Sequence, residues 1–409
     1  MIIVIENFRL AARNLRRNSK RTSVAVLTVA GGIIAFLLAG GFINWIFDSM
    51  REGVIHSQLG HIQIVRPGYF EKGIADPYAF LLPEQSEVQQ LIEKVPSFKS
   101  LAPRLAFSGL VSHGDTTIAF VGEGVDPVRE KPVSTFVFIF SGSDLQSAND
   151  KAVLLGEGLA NSVGVKTGDT VVLLTTAANG SANAVEVSVA GTFFSGSKGY
   201  DDVALRLPIG LARKLMKVNG ATSWVVLLDK TGHTAEGANQ LGAVLSNRNF
   251  EIVPWTTLAD FYNKTVVLFT KQVNVVKFII GLIIVLTISN TQTMSVLERT
   301  TEIGTSLAIG QRRNKILSMF ITEGALIGFF GGLSGIALGY VLAQGVNALG
   351  IPMPPPPGMT HGFAAMVLIS PQLVIDALIL ALVSTLLASV IPAWKASRMA
   401  IVDALRHNQ

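Results

Sequence analysis

From Thr22 to Phe47 the chain carries no charged residue. At about 1.5 Å of rise per residue, a helix over such a run crosses the hydrocarbon of a bilayer with some tilt. A cleaved signal peptide has a shorter apolar core, about 7–15 residues, so the run predicts an uncleaved signal anchor. A second charge-free run covers Phe278 to Leu297. The third, Gly324 to Ile375, is too long for one span, and Pro352, Pro354, Pro355, Pro356, Pro357 and Gly358 interrupt it. It divides into spans near Gly324–Leu349 and Leu373–Ile391, which gives four transmembrane helices.

Between the first two spans the pattern changes to short alternating strands and helices, and an α+β domain is expected there. Gly60 to Val65 alternates as a strand, Glu84–Val95 has helical spacing, and Leu101–Val111 reads as strand again. Ser223–Leu228, Ala235–Leu245 and Phe250–Trp255 repeat that strand–helix–strand order. Ala152–Leu155, Thr170–Thr175, Ala184–Val189 and Val203–Leu207 predict a β-rich insertion within the subdomain formed by these flanking pieces. Trp45, Met50, Val54 and Leu59, and Phe261, Leu268, Gln272, Val273 and Val276, continue the neighbouring spans as helical stalks. At the start of the chain, Ile5, Phe8, Ala12 and Leu15 recur at helical spacing beside Arg9, Arg13, Arg16 and Lys20, a basic amphipathic helix suited to the headgroup plane.

The expected division is the basic helix at 1–21, a first span at 22–47, the extracytoplasmic domain at 48–272 and a second span at 273–297. There follow a loop with a short helix at 298–323, a third span at 324–350, a Pro-rich extracytoplasmic loop at 351–372, a fourth span at 373–391 and a tail at 392–409.

Charge sets the orientation. Arg9, Arg13, Arg16, Arg17, Lys20 and Arg21 precede the first span, Lys395, Arg398 and Arg406 follow the last, and Arg299, Arg312, Arg313 and Lys315 lie between the second and third, so these segments and both termini are expected in the cytoplasm. The segment 48–271 holds 19 basic and 22 acidic residues. The net charge of +5 therefore belongs to the membrane edges, and nucleic-acid binding loses its support. Only 15% of the 409 residues are charged, against roughly 25% in soluble domains. There is no cysteine, hence no disulfide framework, thiolate metal site or cysteine nucleophile.

Enzyme chemistry finds no foothold. The dipeptide Gly-Lys never occurs, so a Walker A phosphate cradle is absent. Gly156-Glu157-Gly158 lacks the third glycine of a dinucleotide loop, and Gly196-Ser197-Lys198-Gly199 reads as a plain loop. His56 and His61 have neither metal-site spacing nor a carboxylate cluster and read as solvated surface histidines. No catalytic, cofactor-binding or metal-ligating residue is assigned. Lys277 and Asp376, at the predicted outer ends of their spans, suit snorkelling or mutual pairing. The hydroxyls and amides from Thr287 to Ser295 form a helix–helix hydrogen-bonding surface. Gly324, Gly328 and Gly332 make one ridge and Gly331, Gly335 and Gly339 another, for packing within the chain or against a second subunit. Ser134 to Ser141, with Phe136, Phe138 and Phe140, reads either as a strand buried on both faces or as an exposed patch for an acyl chain or a carrier protein.

Glu298-Arg299-Thr300-Thr301-Glu302-Ile303-Gly304, Ala308-Ile309-Gly310, and the closing Pro392-Ala393-Trp394-Lys395-Ala396-Ser397-Arg398 with Asp403-Ala404-Leu405-Arg406 resemble the FtsX/MacB superfamily of ABC transporter permeases. Gly60-His61-Ile62-Gln63-Ile64 and Gly156-Glu157-Gly158-Leu159-Ala160 with Gly168-Asp169 are similar to its lipoprotein-releasing and macrolide-exporting branches. Leu307 stands where family members often have arginine, and no fused ATPase is present, which favours the layout of LolC/LolE-like permeases. The resemblance implies an inner-membrane permease subunit without cofactor of its own. It implies two copies of a separate cytoplasmic ABC ATPase holding ATP and Mg²⁺, a second permease copy or paralogue, contact with membrane lipids, and a periplasmic carrier or adaptor. The segment Glu298, Arg299, Glu302, Ile303, Gly304, Gly310, Arg312 and Arg313 would be the ATPase contact, unless its charges only fix topology. Release of lipoprotein, lipid or another amphiphile is the leading expectation. Efflux of drugs or peptides through an adaptor, and signalling to an extracytoplasmic hydrolase, are the alternatives. Dimerisation is expected through the first two spans and their stalks, Thr22–Leu59 and Leu258–Val285.

Overall fold

The computed structural model describes residues 2–73, 76–84, 87–147, 150–246, 248–354 and 361–399, with backbone alone for 2–8. Pro355–Gly358, Asp403–Arg406 and the side chains of Ile5 and Phe8 lie outside what is described. Two compact units emerge, one from 1–47, 265–352 and 364–409, the other from 48–264 with 353–363.

The first unit contains the charge-free runs. Helices Ser19–Val54, Asp260–Glu298, Arg313–Leu349 and Pro371–Ser397 are long and apolar enough to cross a membrane. Ser370 caps the last by accepting the Leu373 N–H, and Pro371 sits where its missing N–H costs nothing. Gly350, at φ 56°, ends the third. Both glycine ridges are filled from within the chain. A methyl at Gly324, Gly328 or Gly332 would meet Ser389, Thr385 and Ala381 of the fourth span, and one at Gly331, Gly335 or Gly339 would meet Val29, Ile33 and Leu37 of the first. The third span is thus the bundle's central helix, and close backbone approach replaces side-chain bulk. Two hydroxyls of the second span turn inward on their own helix: Thr291 and Thr293 donate to the Thr287 and Ser289 carbonyls. Lys277 and Asp376 approach to 3.8 Å.

The second unit is built on ten strands: β1 (Ile62–Val65), β2 (Phe98–His113), β3 (Thr116–Val125), β4 (Phe138–Gly142), β5 (Ala152–Gly156), β6 (Thr170–Thr176), β7 (Ala182–Phe194), β8 (Ala204–Pro208), β9 (Ser223–Leu228) and β10 (Glu251–Pro254). Strands β10, β1, β9 and the first half of β2 form one sheet. Helices Glu87–Ile92 and Thr234–Val244 cover one face over Ile62, Ile64, Trp224 and Val226. The second half of β2 bends into a closed ring, β2–β3–β8–β5–β7–β6 and back to β2. Val171 and Leu173 alternate inward on β6 and join Leu105, Phe107, Val153, Leu155, Val187 and Leu205 inside that ring. The domain is therefore the expected α+β subdomain with a β-rich insertion. The insertion is a closed barrel because β2, at 16 residues, is long enough to serve both parts. Strand β3 was not expected, since Gly122 and Gly124 break its alternation, and β7 runs on to Phe194.

Candidate functional site

The loop between the second and third spans folds as a short helix, Thr300–Ala308, followed by a turn at Gly310 with φ 97°. Its inner side is fixed. Arg299 is buried, with Nη1 3.0 Å from Glu323 Oε1, Nε 3.4 Å from Glu302 Oε2 and its guanidinium over the Phe320 ring. Asn14 Nδ2 donates to the same Glu323 oxygen at 2.9 Å. Ile303 packs with Val296, Ile316, Phe320 and Ala393, and Gly304 is buried beside it.

The outer side carries the remaining charges. Arg17, at the end of helix Ile2–Arg17, donates to both oxygens of Glu302 at 2.8 and 2.7 Å, and Arg21 pairs with Glu298. That fork from Arg17 holds the Glu302 carboxyl below its usual range and raises the arginine in turn. Gly310, Arg312 and Arg313 lie exposed on the turn, where Ile309 is 83% exposed. Sequence reasoning gathered the loop residues but missed Asn14, Arg17, Arg21 and Glu323. The basic helix Ile2–Arg17 packs against helix Arg313–Leu349, with Asn14 reaching Glu323 near that helix's start. A cavity of about 40 Å³, room for about one water, opens between Asn14, Asn18, Gln292, Arg299 and Glu323.

A second charge cluster lies in the interspan domain. Arg206 of β8 reaches Glu123 of β3 at 3.1 Å and Glu130 at 3.9 Å, while Arg104 of β2 reaches Glu130 at 3.2 Å and Glu123 at 3.6 Å. Both arginines are under 5% exposed. Each also donates to the stalk's last turn, Arg206 to the Ser57 carbonyl at 2.6 Å and Arg104 to that of Gln58, and Arg206 Nη1 donates to Ser134 Oγ at 2.9 Å. Burial opposes charge on Glu123, but the two arginines outweigh it and its carboxyl lies below the ordinary range.

His61 is no surface residue: it is 1% exposed, accepts the Leu228 N–H at Nδ1 and lies 3.1 Å from Thr231 Oγ1, which donates to Glu52 at 2.9 Å. Burial, with His56 alongside, lowers it to about 4. Among the described residues no group of three or more His, Asp or Glu is placed to hold a metal ion.

The run Ser134–Ser141 is not a buried strand. Phe138 is 47% and Phe140 58% exposed on β4, which lies beside β7 at the end of the strand order, and Phe136 is half-buried beside Phe138. Unbroken apolar character did not mean burial on both faces.

A family model described as the MacB-like periplasmic core domain matches residues 22–244, more than half the chain, and the FtsX-like permease C-terminal model matches 274–401. An uncharacterized ABC transporter permease of Methanocaldococcus jannaschii is 26% identical over 290 residues, 66% of this chain and 67% of that protein. The macrolide export ATP-binding/permease protein MacB of Rhodospirillum rubrum is 26% identical over 98% of this chain, which spans only 60% of that protein's length. The lipoprotein-releasing system transmembrane protein LolC of Xylella fastidiosa is 25% identical over 76% of this chain and 78% of its own.

Proposed function

Given that the chain belongs to the FtsX/MacB superfamily of ABC transporter permeases, we propose that it carries the motion of a separate ATPase, which binds ATP and Mg²⁺, outward to its interspan domain. In this reading both termini and the loop 298–323 are cytoplasmic, the membrane is the inner membrane, and the domain is periplasmic. Two ATPase copies grip the turn Ile309–Arg313. A second permease copy or paralogue packs against the second span, whose Leu282, Ile283 and Leu286 are 45–62% exposed. Lipid covers the rest.

One observation carries this reading above the others. The short helix Thr300–Ala308 is fastened by charge to two neighbours, through Arg299–Glu323 to the third span and through Glu302–Arg17 to the helix preceding the first. A push on the exposed turn therefore moves more than a loop. The cargo this reading favours is a lipoprotein, lipid or other amphiphile, handed to a periplasmic carrier or adaptor. The exposed phenylalanines of β4 support it, since a solvent-facing aromatic group of this kind marks an interaction site. Efflux through an adaptor is the second reading, favoured by the alignment with a macrolide export protein along 98% of the chain.

The test is a double reversal, Arg312→Glu with Arg313→Glu, in proteoliposomes that also hold the ATPase. Cargo release is expected to fall at least about tenfold while the permease stays folded, because like charges across an interface are strongly repulsive. Release at the unmodified rate contradicts the assignment.

A further inference from the structure

The aromatic group on β4 has an occupant from its own chain. Phe138 lies opposite Phe194 of β7, so both rings stand on one face, stacked with centroids 5.2 Å apart. The ladder shifts between Ile139 and Ser141, which takes Phe140 out of register, and a bulge of this kind re-aims a side chain. Against these rings sits His361, 4.2 Å from Phe194 and 5.7 Å from Phe140 by ring centroid, with Nε2 2.8 Å from Glu157 Oε2. His361 belongs to the same compact unit as the rings. Glu157 is only 17% exposed at its side chain. It opens the helix Glu157–Val163, where an acid is favoured by the helix dipole. That accounts for the carboxylate and leaves unexplained the phenylalanines grouped around its histidine partner.

Ring faces attract cations, a carboxylate beside them supplies a full counter-charge, and the same rings accept hydrocarbon. An imidazole is a modest version of that ligand, planar, apolar on its faces and able to carry a proton. We propose that Phe138, Phe140, Phe194 and Glu157 form a binding site for a protonated or quaternary amine carried on an apolar body, and that His361 is the chain's own stand-in for it. The proposal rests on the amphiphile reading above and narrows it, because it requires the head group to be a cation.

The full-length protein in lipid nanodiscs tests this by calorimetric titration with benzyltrimethylammonium and with benzyl alcohol, its uncharged counterpart. The cation is expected to bind at least about tenfold more tightly than the alcohol. His361→Ala should raise affinity for the cation several-fold by removing the competitor. Glu157→Gln should abolish the preference and Glu157→Asp retain it, which separates loss of charge from loss of fold. Phe138→Ser with Phe140→Ser should weaken both probes. Equal binding of the two probes, lost together in the phenylalanine variant, overturns the cation site and leaves the amphiphile reading standing. No binding of either probe, even to His361→Ala, overturns both, and an unchanged affinity in His361→Ala overturns the stand-in.

Discussion

The chain builds two networks from the same side chains, and burial separates them. In the interspan domain Arg104, Arg206 and Glu130 are buried and Glu123 is partly so, and each arginine also satisfies a carbonyl of the stalk's last turn. In the loop between the second and third spans, the outer pairs Arg17–Glu302 and Arg21–Glu298 face solvent, with 40–54% of each side chain exposed, around the buried Arg299–Glu323 pair. An enclosed pair is costly to break, because the partner left behind keeps its desolvation penalty without compensation. A solvated pair exchanges for water with a change of about 0.2–1 kcal/mol. The first arrangement therefore acts as a rivet and the second as a clasp that opens and recloses.

The comparison can be broken at its strong side first. Arg206→Ala is expected to destabilise the domain by about 3–5 kcal/mol, read from the fluorescence melt of Trp224 and Trp255, both buried in that unit. Replacing Arg206 and Glu123 together by Met and Leu should recover much of the loss, since no charge is then stranded. A mild effect of Arg206→Ala alone would remove the rivet.

His61 gives the next effect, through pH. Its folded-state value of about 4 lies below the ordinary histidine value of about 6.5, so the unfolded chain takes up a proton first. Stability is full above about pH 6.5 and falls as pH drops to about 4, by roughly 3 kcal/mol at about 1.4 kcal/mol per unit. His61→Gln should flatten that window. Glu123 works in the acid range beyond it: its lowered carboxyl contributes above the ordinary carboxylate value and loses that contribution only as pH falls further. A melt independent of pH between 6.5 and 4 would contradict the assignment of His61 as a buried neutral base.

The smallest effect belongs to the clasp. A double-mutant cycle on Arg17→Ala and Glu302→Ala should give a coupling below about 1 kcal/mol that shrinks with salt. Coupling of transport to ATP hydrolysis should nevertheless fall in either single variant. A coupling as large as in the domain network would erase the contrast.

Much of this architecture was legible because it rests on runs and spacings. Charge-free stretches gave the four spans, and glycines four apart gave ridges that the structure fills with Val29, Ile33 and Leu37 on one side and Ala381, Thr385 and Ser389 on the other. What stayed hidden rests on partners distant in the chain. Nothing local ties Arg299 to Glu323, Arg17 to Glu302, or Arg206 of β8 to Glu123 of β3. The barrel was hidden for the same reason, since its closure depends on three residues of β2, Leu110 to Ser112, pairing with β6. Phe138 and Phe140 stayed open in sequence: an unbroken apolar run fits a buried strand or an exposed patch, and the place of β4 at an edge decides for exposure.

The most direct test of the central claim, that an ATPase grips the turn beyond the short helix, uses the absence of native cysteine. Ile309→Cys is placed in the otherwise cysteine-free chain and treated, in membranes holding the ATPase, with a short thiol-to-amine crosslinker, alongside Phe140→Cys as a control. The account predicts a permease–ATPase adduct from Ile309→Cys whose yield changes with ATP, and none from Phe140→Cys. If Ile309→Cys is instead labelled by an impermeant maleimide on intact cells, or forms no adduct while Phe140→Cys does, the direction of coupling proposed for this chain is wrong.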